Sequence, residues 1–188
     1  TLNINAGTIT LGNESVGVMA IGSTSSTIDG TIKVGDSGTG KSAIGVAAKD
    51  SNITLAGTAV ITAGAKGIGV YAEGNGTTVT VDDTENITVG TNGIYMYSKG
   101  AALNFTGNIT ADDQIGIAAE GGSVTANGGS TIIVKNGGIG VYVKNTAPTF
   151  TTTAIIVQNG VAETSSNSAK YSIGVYYDGV SSIGTAPV

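Results

Sequence analysis

The segment Gly35-Asp36-Ser37-Gly38-Thr39-Gly40-Lys41-Ser42 reads G-x-x-x-x-G-K-[ST], the pattern of a loop that cradles phosphates. That chemistry needs backbone amides aimed at an anion by the N-terminus of a helix on the C-terminal side of the loop. A strand-like run, Thr31-Ile32-Lys33-Val34, precedes the motif as it should. On its other side, Ala43-Ile44-Gly45-Val46 opens a strand and not a helix. In a chain of 188 residues with 31 glycines such a match arises from composition alone. The expectation for Gly35 to Ser42 is therefore a turn that takes no nucleotide.

Gly35-Asp36-Ser37-Gly38 also matches the nucleophile segment of trypsin-like proteases. A serine nucleophile needs a general base beside it, and the chain has no His. A Ser–Lys dyad is formally open, but no pattern supports it. Asp82-Asp83 and Asp112-Asp113 have the pairing of a two-carboxylate site or of calcium ligands. Both sit among turn residues, where Asp bonds nearby backbone. The calcium-binding repeat G-G-x-G-x-D is absent. With no Arg and eight scattered Lys, the basic chemistry of a polysaccharide lyase also lacks material. The residues thus point to no catalytic group, no metal ligand set and no cofactor.

The elements that would have to position these residues are strands. Val, Ile, Ala and Thr dominate, and β-branched side chains suit a pleated surface. Charged residues are 11% and the net charge is -5. Without basic clusters, nucleic acid is not an expected partner. No apolar run approaches the roughly 20 residues of a membrane span. There is no Cys. That suits either a reducing cytosol or an exported chain that must stay unfolded in transit. The chain opens at Thr1 without Met, so the expectation is a single segment, 1–188, of something longer.

Seven segments share the form apolar–small–apolar–X–small–X. They begin at Val16, Ile44, Ile68, Ile94, Ile115, Ile139 and Ile173. Their central positions, 17, 45, 69, 95, 116, 140 and 174, recur about every 26 residues, a period that indicates a solenoid, propeller or array. After Ile68–Ala72 come two more alternating runs, Thr77–Val81 and Asn86–Val89, separated by turn chemistry. Three strands in about 24 residues predict an all-β, right-handed parallel β-helix of about seven or eight coils. A propeller blade needs four strands in about 40–45 residues, and a leucine-rich repeat needs far more Leu.

Strand alternation predicts faces. Ile68, Val70 and Ala72 should point inward, and Gly69, Tyr71 and Glu73 outward. The inward column then reads Val18, Val46, Val70, Met96, Ile117, Val141 and Val175. One outward column reads Met19, Ala47, Tyr71, Tyr97, Ala118, Tyr142 and Tyr176. Its four tyrosines, Tyr71, Tyr97, Tyr142 and Tyr176, form a candidate binding strip, because tyrosine gives contact area at low entropy cost. The plainer reading is that they pack on one another. The next outward column reads Ile21, Lys49, Glu73, Lys99, Glu120, Lys144 and Asp178, and its sign alternates from Lys49 onward. That predicts a structural charge ladder that disfavours a slipped register. The interval from Gly140 to Gly174 is the longest. Residues 145–171, with Pro148 and the polar run Glu163 to Ser168, are expected to hold a longer turn or insertion.

The repeats G-I-G-V-Y-A-E-G (67–74) and N-I-T-V-G-T-N-G-I-Y (86–95) resemble the passenger domains of large bacterial type V autotransporter adhesins of the fusobacterial type. The resemblance covers about residues 1–180 and rests on repeat texture, so it transfers no site residue. It implies a secreted cell-surface passenger, held in the outer membrane by a C-terminal β-barrel that lies outside this chain. It implies attachment to a host-cell receptor or glycan, or to a partner bacterium. Two further readings stand beside the adhesin: a purely structural stalk that presents a distal binding domain, and a polysaccharide-active enzyme.

Overall fold

A computed structural model describes residues 3–22, 25–145, 149–151, 154–158, 160 and 171–179. They form a parallel β-solenoid with almost no helix. The seven recurring segments are seven strands, Val16–Ile21, Ile44–Lys49, Ile68–Glu73, Ile94–Lys99, Ile115–Glu120, Ile139–Lys144 and Ile173–Asp178. Each pairs in parallel with its counterpart one coil away, so all seven make one sheet. They bound six turns, one or two fewer than expected. The strand Asn3–Thr10 adds part of another by pairing with Ser26–Val34. At one strand per about 4.8 Å, six turns make a rod of about 29 Å.

The second face stacks Asn52–Leu55, Thr78–Val81, Ala102–Thr106, Ser123–Asn127 and Thr149–Thr151. The third face stacks Val60–Ala63 on Ile87–Val89, then Ile109–Asp112, Thr131–Lys135 and Ala154–Val157. The long strand Ser26–Val34 serves both faces, pairing with Asn52–Leu55 through its first half and with Val60–Ala63 through its second. The third face divides between Ile87–Val89 and Ile109–Asp112, which belong to different sheets. There the spacing of recurring strands shrinks from 26 to 21 residues, and a 3-10 turn, Thr84–Asn86, occupies the corner.

The inward columns fill the rod. Val46, Val70, Met96, Ile117 and Val141 are buried, as are the pairs Ile53/Leu55, Val79/Val81, Leu103/Phe105 and Val124/Ala126 from the second face. Size is balanced between coils: Phe105 stands against Ala126 in register, so bulk in one layer meets a small side chain in the next. Buried Ser and Thr serve the corners. Thr77 Oγ1 donates to Glu73 O, and Ser98 Oγ donates to Ala101 O. Among the described residues no buried side-chain polar atom lacks a partner.

Each recurring strand is followed directly by a residue with positive φ: Gly22, Asp50, Gly74, Gly100, Gly121, Asn145 and Gly179. This left-handed step turns the chain onto the second face. Gly, Asn and Asp occupy it because they tolerate that region best.

The start of the recurring strand departs from simple alternation. Ladder pairing passes over its second residue: Ile68 pairs with Ile94, and then Val70 with Met96. A Cβ built on Gly45 would lie 2.4 Å from Ile61 Cγ2 and 2.7 Å from Gly69 O, so this position faces the core and not solvent. The leading isoleucine goes the other way, since Ile94 and Ile115 line an outer cleft with Tyr97 and Tyr142. The inward–outward alternation therefore slips by one residue at the glycine. The expectation that Gly69 faces outward is corrected accordingly, while Ile68 is buried as expected. Two consecutive residues, Gly and Val, point inward, and only the first must be small.

The interval 145–171 is not all turn. Thr149–Thr151 and Ala154–Val157 continue the second and third sheets. Pro148 and the run Glu163 to Ser168 lie outside the described residues.

Candidate functional site

The recurring sheet brings the four tyrosines of the outward strip onto one face. Tyr71 and Tyr97 stand opposite each other in register, as do Tyr142 and Tyr176. Their ring centroids are 5.4 Å apart and nearly perpendicular in the first pair, and 5.5 Å apart and stacked in the second. Both are favoured aromatic geometries. Tyr176 is 43% exposed, and the other three are partly covered.

The charge column lies two residues further along the same strands. Lys49, Glu73, Lys99 and Glu120 succeed one another in register, and Lys144 stands opposite Asp178. Glu73 bridges two coils: Oε2 lies 3.8 Å from Lys49 Nζ and Oε1 lies 3.4 Å from Lys99 Nζ. The acids also take the tyrosine hydroxyls. Tyr71 donates to Glu73 Oε2 at 3.0 Å, Tyr97 to Glu120 Oε1 at 2.9 Å, and Tyr142 to Asp178 Oδ2 at 2.8 Å.

These bonds set the electrostatics. Burial, reinforced by the bond to Glu73, pushes the Tyr71 phenol up to about 12. Burial and the bond to Glu120 raise Tyr97 further. The bond to Asp178 is the main cause holding Tyr142 above its ordinary value. In return, the Tyr71 hydroxyl and the lysine ammonium groups hold the Glu73 carboxyl below the usual range. The three phenols are therefore neutral at neutral pH, and the Glu73 carboxyl is charged.

Between the two tyrosine pairs the column carries Ala118, which pairs with Tyr97 on one side and Tyr142 on the other. The missing ring leaves a cleft of about 200 Å³ walled by Tyr97 and Tyr142 and backed by Ile94 and Ile115, with Glu120 and Lys144 at its edge. Ala118 was legible in the sequence as a gap in the tyrosine column. The isoleucine wall was not, because alternation assigns those residues to the core.

A second cleft, of about 390 Å³, opens where the third face divides. Thr84, Glu85, Thr88, Asn108 and Thr110 line it, and Tyr95 sits in it. Tyr95 stands where six other coils have glycine. It packs against the core at the break, and burial raises its phenol pKa.

The phosphate-loop match lies in a turn column that otherwise carries a left-handed residue at Glu14, Lys66, Asn92, Asp113 and Asn136. Its first amides are taken by neighbouring coils. Gly35 N donates to Gly12 O, Asp36 N to Asn13 Oδ1 and Ser37 N to Ala65 O. Gly38 to Ser42 loop out, closed by Gly38 N donating to Lys41 O, and the chain then enters the strand Ile44–Lys49. Ser37 Oγ, the serine of the protease-like tetrad, donates to Lys66 O and accepts from Ala43 N. Of the acid pairs, Asp83 serves a turn, whereas Asp112 is the last residue of the strand Ile109–Asp112. Asp83 caps the 3-10 turn by accepting from Glu85 N. Asp112 lies 3.4 Å from Lys135 Nζ and accepts from Asn136.

Comparison with known proteins gives no family model, no curated protein and no solved structure that matches this chain.

Proposed function

We propose that this solenoid is a non-catalytic adhesive segment, a stretch of a bacterial cell-surface passenger that attaches to a host-cell receptor or glycan or to a partner bacterium. The observation that carries the reading is the tyrosine face. Four rings are held in two fixed pairs on one side of a rigid rod, and three of their hydroxyls are tied by Glu73, Glu120 and Asp178. Rings already fixed in place lose little entropy on binding, which favours contact. Secretion by a type V pathway and anchoring by a C-terminal β-barrel belong to this proposal, and rest on the texture of the repeats.

The second reading is a purely structural stalk. It is favoured by the same hydroxyl bonds, since each ties a tyrosine to a carboxylate of its own or the next coil. The test is binding of the purified 188-residue chain to a glycan array and to host and bacterial cells, beside a variant with Tyr71→Ala and Tyr176→Ala. Binding that falls about tenfold or more in the variant supports the adhesive face. Silence of the parent chain in both assays supports the stalk.

A further inference from the structure

We propose that the cleft over Ala118 is a subsite for one pyranose ring bearing a carboxylate, as in a uronic acid residue of a glycan. This rests on the reading of the tyrosine face as adhesive, and it names the ligand class. Tyr97 and Tyr142 lie two coils apart, about 9.6 Å along the rod. The space that the alanine side chain leaves between them takes one ring and not an extended peptide. Its volume of about 200 Å³ is below the roughly 300–1,000 Å³ of drug-sized ligand sites. The walls are two phenol rings and two isoleucines, which suit the C–H faces of a sugar.

Charge selects the acid. Lys144 stands at the cleft edge, is exposed, and among the described residues forms no ion pair. The two acids nearest it in the ladder are engaged by phenols: Glu120 accepts from Tyr97 and Asp178 from Tyr142. With no ion pair of its own among the described residues, Lys144 is the cation at the cleft that can meet an anion, and a carboxylate there gains a charge-assisted hydrogen bond. Glu120 binds the phenol through Oε1 alone, so its Oε2 can accept from a ring hydroxyl of the same sugar.

The experiment titrates the chain with methyl β-glucuronide and methyl β-glucoside by ligand-observed NMR. The glucuronide should bind about five- to tenfold more tightly, the worth of one charge-assisted contact. Lys144→Gln should bring it level with the glucoside. Ala118→Tyr continues the ring column already present in neighbouring coils, so it keeps the fold while filling the cleft, and it should abolish binding of both sugars. Equal binding of the two sugars, binding that survives Ala118→Tyr, or no binding to the parent chain would each overturn the subsite. If cells are bound and the Tyr71/Tyr176 variant is silent while the glucuronide never binds, the adhesive face stands and the subsite falls. Glucuronide binding lost in Ala118→Tyr, with no cell bound at all, leaves the subsite standing without the adhesive role.

Discussion

Tyr97 reaches across a coil boundary to donate its hydroxyl to Glu120, 2.9 Å away, joining the tyrosine column and the charge column into one network. Tyr142 does the same with Asp178, whereas Tyr71 bonds Glu73 of its own strand. The acid lies two residues beyond the tyrosine, on the same face, so its carboxylate is within reach of a phenol from its own coil or from the coil before. The tyrosines are held in orientation by the ladder, and the ladder acids are only partly occupied with lysines.

The network predicts an alkaline limit to stability. Tyr71 is raised to about 12, and Tyr97 and Tyr142 are raised as well. The folded state therefore holds these protons more tightly than the unfolded state, where a phenol titrates near 10. The stabilisation is complete below about 10 and is lost as pH rises toward and through 12. Denaturant midpoints measured across that window should fall, and Glu120→Gln should move the Tyr97 titration, monitored by tyrosinate absorbance, back toward about 10. A single tyrosine titration near 10 in the folded protein would sink this account.

Glu73 is the joint of the charge ladder, with a lysine on each side. The lysine side chains are about half exposed, so each pair contributes only a few tenths of a kcal/mol. Glu73→Gln should cost about 0.5–1 kcal/mol in urea at low salt, and the difference should shrink at high ionic strength. Because the folded carboxyl sits below its ordinary value, its contribution is present above the unfolded pKa and fades as pH falls through the folded one. A cost that is unchanged by salt would point to packing and not to charge.

The period, the three strands per coil and the register of the recurring strand were all legible, because a solenoid writes each contact as a column of like residues. Val70, Met96 and Ile117 stack as the repeat predicts. The slip at the glycine was not legible. Alternation counts every residue once, and nothing local to Ile68-Gly69-Val70 signals that two successive side-chain positions face inward. The signal lies elsewhere in the coil stack, in the Ile61 methyl and the Gly69 carbonyl that occupy the space a Cβ on Gly45 would need. The break in the third face was also hidden, although Tyr95 in a glycine column and a spacing of 21 residues mark where it falls.

That crowding makes a sharp prediction about two glycines. Gly45→Ala puts a methyl 2.4 Å from Ile61 Cγ2 and 2.7 Å from a backbone carbonyl that the ladder holds in place. The cost should be about 1–3 kcal/mol, as for overpacking elsewhere. Gly57→Ala meets nothing within 4 Å, and its φ is not in the left-handed region. It should be neutral or stabilise by up to about 1 kcal/mol through the unfolded state. Equal urea midpoints for the two variants would refute the inward placement of the glycine column.

The phosphate-loop match supplies the last prediction, because its residues do different work in the two accounts. In a nucleotide site Lys41 is the indispensable residue and Asp36 is incidental. In the solenoid the order reverses. Asp36 Oδ1 accepts from Ala65 N at 2.7 Å, and its own amide donates to Asn13 Oδ1, so one residue ties three successive coils. Lys41 sits at the tip of the Gly38 to Ser42 loop and is exposed. Asp36→Ala should cost about 1–2 kcal/mol, since it removes a hydrogen bond to a charged acceptor. Lys41→Ala should change stability by less than about 0.5 kcal/mol. Neither variant should alter the response of the protein to Mg-ATP in a thermal shift. Stabilisation by Mg-ATP that vanishes in Lys41→Ala would restore the phosphate reading, and it would require the Gly38 to Ser42 loop to supply the amides that Gly35, Asp36 and Ser37 have already committed to neighbouring coils.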